Sequence, residues 1–230
     1  MTKGEREQPV STLYRPHGIA ASENRVHRPC REHRIASVIA KRRGRANKVG
    51  PAVHDDLVRR DFTADRCDEL WLTDITEHPT DEGKLYLCAV KDAFSGRIVG
   101  YSMDPRMKSS LAVAALRNAI VLRHPNGTVV HSDRDSQFRS AKFVRTLRDA
   151  GLAGSMGRVG ACADNAAMES FFSLLQKNVL NTQRWKTRQE LRLAIVNWIE
   201  RTYHRRRRQR GLGKLTPIEF ETVHEVVHAA

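Results

Sequence analysis

The order in which strand and helix signals follow one another is what most restricts the fold of this chain. Residues 69–76, a largely apolar stretch with β-branched side chains that Asp74 interrupts, read as a strand. Lys84–Ala93 and Arg97–Met103 read as two further strands, joined by a tight turn at Phe94-Ser95-Gly96. Ser109–Arg123 then reads as a helix, with Leu111, Ala114, Ala115, Ile120 and Leu122 at broadly helical spacing. Thr128–His131 is a short fourth strand, 140–150 a helix stopped by Gly151, and Ala153–Met156 a short fifth strand. Two helices follow, over 165–180 and 187–203. In the second, Leu191, Ala194, Ile195, Trp198 and Ile199 fall at i, i+3, i+4, i+7 and i+8, a clear amphipathic stripe. Three antiparallel strands followed by strands interleaved with helices specify an α/β protein, a mixed sheet flanked by helices.

The 230 residues suffice for one filled core with appendages. We divide them into a basic, partly disordered N-terminal arm (1–54), a core with a helical C-terminal extension (55–222) and a tail (223–230). The formal charge of +14 is unevenly placed. Residues 1–60 hold 14 Lys/Arg against 6 Asp/Glu, residues 61–170 hold 14 against 15, and residues 171–230 hold 12 against 5. A near-neutral centre between two basic ends suits a polyanion gripped at both sides and worked on in the middle. A basic cluster, Lys41-Arg42-Arg43-Gly44-Arg45, follows a short helical pattern over 32–40 and reads equally as a DNA-touching arm or a solvated linker. The four cysteines form no close pair, which argues against a disulfide framework, and His27, Cys30 and His33 lack a fourth zinc ligand at a recognised spacing. With no apolar leader or membrane-length apolar run, the expected setting is cytoplasmic.

Three acids stand in distinctive strings. Asp74 interrupts Leu70-Trp71-Leu72-Thr73-Asp74-Ile75-Thr76, on the strand expected to be central. Asp133 ends Thr128-Val129-Val130-His131-Ser132-Asp133, at the tip of a neighbouring strand. Glu169 lies in Asp164-Asn165-Ala166-Ala167-Met168-Glu169-Ser170-Phe171-Phe172, at the start of a helix that Asp164 is placed to cap. Any one acid is ordinarily a solvent-facing charge. Three brought together hold two divalent cations, which clamp the attacking and leaving oxygens of an in-line phosphoryl displacement. In that reading Asp74 bridges both ions, Asp133 holds one and Glu169 the other. Arg205-Arg206-Arg207-Arg208, at the end of the last helix, is a candidate phosphate contact, although positive charge is favoured at a helix end in any case. Trp71 and Trp198 read as core residues.

These strings, with Asp92-Ala93-Phe94-Ser95, Ile98-Val99-Gly100, Ser136-Gln137-Phe138, Cys162, Leu212-Gly213 and Thr216-Pro217, make the chain resemble the OrfB-type transposases of the insertion sequence 3 family, within the retroviral integrase superfamily. The resemblance spans roughly residues 55–222 in the right order. It implies a ribonuclease-H-like fold and an Asp-Asp-Glu catalytic core of Asp74, Asp133 and Glu169. It also implies Mg2+ dependence, with Mn2+ as substitute, and DNA strand cleavage and transfer. Arg134, Asn165, Lys177 and Arg205–Arg208 become the expected DNA contacts, with element ends and target DNA as partners. A homo-oligomer on DNA and an upstream-frame DNA-binding partner or fusion are implied too. Other readings are a catalytically impaired copy that only binds DNA or titrates active subunits, and another ribonuclease-H-like nuclease such as a junction resolvase.

Several positions depart from the family pattern. Asp135 stands where glycine is expected, adding a carboxylate near Asp133 and a side chain where the backbone was expected to need glycine. The basic residue expected seven positions after Glu169 is Gln176, with Lys177 one step and about 100° further round a helix. Ala163 replaces an aromatic, His204 an asparagine and Gln209 a histidine, and most of the helical region expected ahead of the core is missing.

Overall fold

A computed structural model describes residues 28, 29, 32, 33, 51–157 and 166–228. The chain divides into two units, Met1–Lys48 and Val49–Ala230. In the first, Arg28 and Glu32 form an exposed ion pair one helical turn apart; residues 41–45 lie outside the described residues.

The second unit is built on a five-stranded sheet: β1 (Leu70–Thr80), β2 (Gly83–Asp92), β3 (Ile98–Asp104), β4 (Val129–Ser132) and β5 (Ala153–Met156), in the order β3-β2-β1-β4-β5. β1, β2 and β3 pair antiparallel, whereas β4 runs parallel to both β1 and β5. The helices are α1 (Ser109–Arg123), α2 (Ala141–Asp149), α3 (Ala166–Leu175), α4 (Arg188–Asn197) and α5 (Pro217–His228). α5 crosses the expected tail boundary at 222/223.

Because successive strand residues face opposite sides, the sheet supports two cores. Leu70, Leu72, Leu85, Leu87 and Ala89 pack with Met168, Phe171, Leu175, Leu191 and Ile195 from α3 and α4, and with Ile199 just beyond α4, on one face. Trp71, Cys88, Val90, Val99 and Val130 pack with α1 and α2 on the other. The α4 stripe is buried as its spacing predicts, and Trp71 and Trp198 are core residues. The α1 stripe has a different phase: Leu111, Ala112, Ala115, Leu116 and Ala119 face inward, while Ala114 and Leu122 are exposed. Gly100 explains why. α1 lies so close on β3 that a Cβ at Gly100 would stand 2.6 Å from the Ala119 backbone nitrogen, and nearer still to the Ala115 carbonyl.

Helix ends follow local chemistry. The Ser140 hydroxyl accepts from the Phe143 N–H and caps α2. Thr187 and Glu190 form a capping box at α4. α3 and α4 each continue into a widened π-helical turn, Gln176–Leu180 and Trp198–Tyr203, so the two long helices predicted over these spans are each an α-helix extended by a π turn.

Candidate active site

The three acids are delivered by three different elements. Asp74 shares the parity of Leu70 and Leu72 on central β1 and therefore faces the α3 side of the sheet. Leu72 pairs in register with His131 of β4. Two residues further on each chain come Asp74 and Asp133, set side by side beyond the last paired position. Glu169 lies in the first turn of α3 and is exposed.

Burial raises the Asp74 carboxyl to about 7, and the negative charges of Asp133, Asp135 and Glu169 add to the shift; the Ile75 N–H, donating at 2.7 Å, opposes it. Asp133 is exposed as a residue, yet the protein crowding its carboxyl pushes it up to about 6, with Asp135 adding repulsion and the Asp135 N–H, at 3.0 Å, opposing. These groups feel one another's charge, but their oxygens do not all close to within 4.8 Å. Among the described residues the set that does is Cys67, Asp92 and Glu221.

That tighter set is an ion-pair junction. The Glu221 carboxylate of α5 receives Arg97 and, at 3.0 Å, Arg123. Arg123 also reaches Asp68 at 2.9 Å. Asp92 accepts from the Asp68 N–H at 2.7 Å and the Ser95 N–H at 2.8 Å, and the Ser95 hydroxyl lies 2.8 Å from Glu221. Burial, then the charges of Asp92 and Glu221, push the Cys67 thiol up to about 12. Two guanidiniums pair with Glu221 and Asp68, and the junction clips α5 to the sheet. Sequence reasoning picked out Asp92 and Ser95 as motif residues without this role; the partner, Glu221, lies 126 residues from Ser95.

The other predicted residues sort as follows. Arg134 is half-buried, and its Nε donates to the Gly157 carbonyl at 2.7 Å, tying the loop after β4 to the end of β5. Asn165, with Asp164, Cys162 and Ala163, lies outside the described residues. Gln176 and Lys177 are both exposed, where α3 passes into its π turn. Arg205, Arg206 and Arg208 are exposed and Arg207 is half-buried, with Arg208 3.9 Å from Glu219. The backbone concern over Asp135 is removed, since it is not among the positive-φ residues and its carbonyl accepts from the Phe138 and Arg139 N–H groups in a turn, whereas its carboxylate does add negative charge beside Asp74 and Asp133. His204 is buried and structural. Its Nε2 accepts from the Ile98 N–H at 3.1 Å, which leaves Nδ1 to donate toward Glu200 at 3.3 Å.

A central-strand acid beside an acid at the tip of a parallel neighbour, with a third on a covering helix, defines an integrase-type core. Two family models, both described as integrase core domain, match over residues 64–162 and 150–217. The transposase InsF for insertion sequence IS3A of Escherichia coli K12 is 40% identical over 173 residues, 75% of this chain and 60% of that protein. The transposase for insertion sequence element IS629 of Shigella sonnei is 39% identical over 166 residues, 72% of this chain and 56% of that protein. The chain belongs to the integrase core domain family, and these relatives of it are insertion-sequence transposases. It spans about three fifths of the length of the curated relatives it matches. Among solved structures, the HTLV-2 integrase catalytic core domain in complex with magnesium superposes with a TM-score of 0.53 at 19% identity, over 67% of this chain and 96% of that one. The BIV integrase catalytic core gives 0.52 at 18%, over 71% and 99%. The fold is thus ribonuclease-H-like. Among the described residues no helix is long and apolar enough to cross a membrane.

Proposed function

We propose that this chain is the catalytic portion of an insertion-sequence transposase, cleaving DNA at element ends and joining the freed ends to target DNA. The observation that carries this reading is the parallel register of Leu72 with His131, which sets Asp74 and Asp133 side by side under the helix that bears Glu169. The identity to insertion-sequence transposases supports the choice of DNA as substrate.

The donor set suits a divalent cation. Carboxylate oxygens are hard, negatively charged ligands, and a cation shared among them would offset the burial, and the lesser repulsion of neighbouring acids, that lift Asp74. Asp74, Asp133 and Glu169 would hold Mg2+, or Mn2+ in its place, and the bound ions supply Lewis acidity and an activated nucleophile. The chain's own groups do the rest. Arg134 keeps the loop behind Asp133 attached to Gly157. Exposed Lys177, Arg205, Arg206 and Arg208 offer phosphate contacts that position the duplex. Joining two ends calls for at least two subunits, and a DNA-binding segment from the upstream frame is the expected partner.

The test is strand transfer by the purified chain on its own element ends in Mg2+, with Glu169→Gln alongside and the upstream-frame product added in a second series. Products from the wild type alone are expected. Equal product from Glu169→Gln would overturn the assignment.

A further inference from the structure

Lys91 is a buried lysine that follows the apolar run Leu87–Val90 of β2. It pairs with Leu72 across β1 and β2, two residues from the Asp74–Ala89 pair, so its side chain lies on the sheet face that carries Asp74. That face is covered by α3. The Lys91 ammonium donates to the Ala167 carbonyl at 3.1 Å, in the first turn of α3 and two residues before Glu169. Only 9% of the residue is exposed.

This placement is unfavourable in three respects. Burial, and then the neighbouring Arg207, lower the ammonium to about 8. The positive end of a helix dipole disfavours a cation. Asp92, the acid on the opposing side, already accepts from Asp68 and Ser95. An apolar side chain of similar length would fill the same space without these costs, since replacing buried charge by packed hydrophobe is often neutral or stabilising. Packing therefore does not account for Lys91. What it supplies, and an apolar residue would not, is a charged donor that fastens the start of α3 to the strand beside Asp74.

We propose that Lys91 is a positioning residue for Glu169: its hydrogen bond to the Ala167 carbonyl fixes the rotation and height of the first turn of α3, and thereby where the Glu169 carboxylate stands relative to Asp74. The inference rests on the assignment of Asp74, Asp133 and Glu169 as the metal-holding set. It sets Lys91 apart from groups that touch metal or DNA, because its ammonium bonds the helix backbone.

The experiment compares the full chain as wild type, Lys91→Met, Lys91→Arg and Asp74→Asn. It uses calorimetric Mg2+ titration, thermal unfolding and amide hydrogen exchange of α3. Lys91→Met is expected to melt no lower than wild type, to exchange faster at residues 169–172 with α4 unchanged, and to bind Mg2+ about tenfold more weakly, the scale of a lost outer-shell support. Lys91→Arg, which retains a donor, is expected to recover most of that affinity. Wild-type Mg2+ affinity and wild-type exchange in Lys91→Met would overturn the proposal. Should Lys91→Met fail to fold by circular dichroism, Lys91→Leu is read by the same two criteria. A wild type that binds no more Mg2+ than Asp74→Asn would strike the metal assignment instead. The exchange comparison then decides the tether alone, with unchanged exchange in the variant overturning it.

Discussion

Asp74 on β1 and Asp133, the first residue after the parallel strand β4, each follow the register pair Leu72–His131 by two residues. The pairing of β1 with β4 therefore brings the two carboxyls together before any ligand is considered. Burial and the surrounding negative charge make the ionised site a destabilising feature of the fold.

Asp74→Asn should for that reason stabilise the cation-free protein at neutral pH. The Asp74 carboxyl is raised from 3.8 to about 7, chiefly by burial. The folded protein holds this proton more tightly than the unfolded chain does, so the associated stability is full below the unfolded value and is lost as pH rises through about 7. The difference in melting temperature between Asp74→Asn and wild type, in chelator, should be near zero at about pH 4 and grow to several degrees above about pH 7. Added Mg2+ should raise the wild type and leave the variant unmoved. A pH-independent difference would refute the account.

Gly100 tests the seat of α1. A Cβ there meets the Ala119 backbone nitrogen at 2.6 Å, and backbone inside a helix cannot swing aside as a side chain tip can. Gly100→Ala should cost about 1–3 kcal/mol, the range for overpacking a filled core. Urea unfolding measures this, with an unchanged m-value expected.

Much of this architecture was legible in the sequence, and the failures have physical causes. Strand alternation and the α4 stripe gave the element order because both reflect burial by neighbours close along the chain. The α1 phase misled because Ala114 and Leu122 are apolar yet exposed; the buried face is selected by close contact with Gly100, a long-range fact. The strings around the acids placed Asp74 on a strand, Asp133 at a strand end and Glu169 in a helix, as the fold has them. Lys91 and Glu221 were not. Their roles depend on Ala167, 76 residues away, and on Ser95, 126 residues away, and neither leaves a local motif.

Glu221 anchors α5 through Arg97 and Arg123, with its side chain only 4% exposed. Glu221→Gln keeps the shape but leaves two guanidiniums facing the buried Asp92–Ser95 turn with less negative charge between them. Removing one partner from a buried ionic network is strongly destabilising, roughly 3–5 kcal/mol. The loss should appear as early exchange of α5 amides and a lower denaturation midpoint. A midpoint within error of wild type would mean that α5 is held by its apolar face alone.

The C-terminal arginines give a prediction in salt dependence. Arg205, Arg206 and Arg208 are exposed, whereas Arg207 is half-buried beside Lys91 and belongs to the interior. If the three exposed guanidiniums each neutralise a phosphate, changing all three to Ala should lower the slope of log K against log salt by about 2–3, since each phosphate contact contributes about 0.9 for duplex DNA. The loss should be similar on element ends and on unrelated duplex, because phosphate contacts carry no base information. Fluorescence anisotropy across a salt series measures both quantities. An unchanged slope would make the run a solvated helix end, while a loss confined to element ends would assign these arginines to base reading instead.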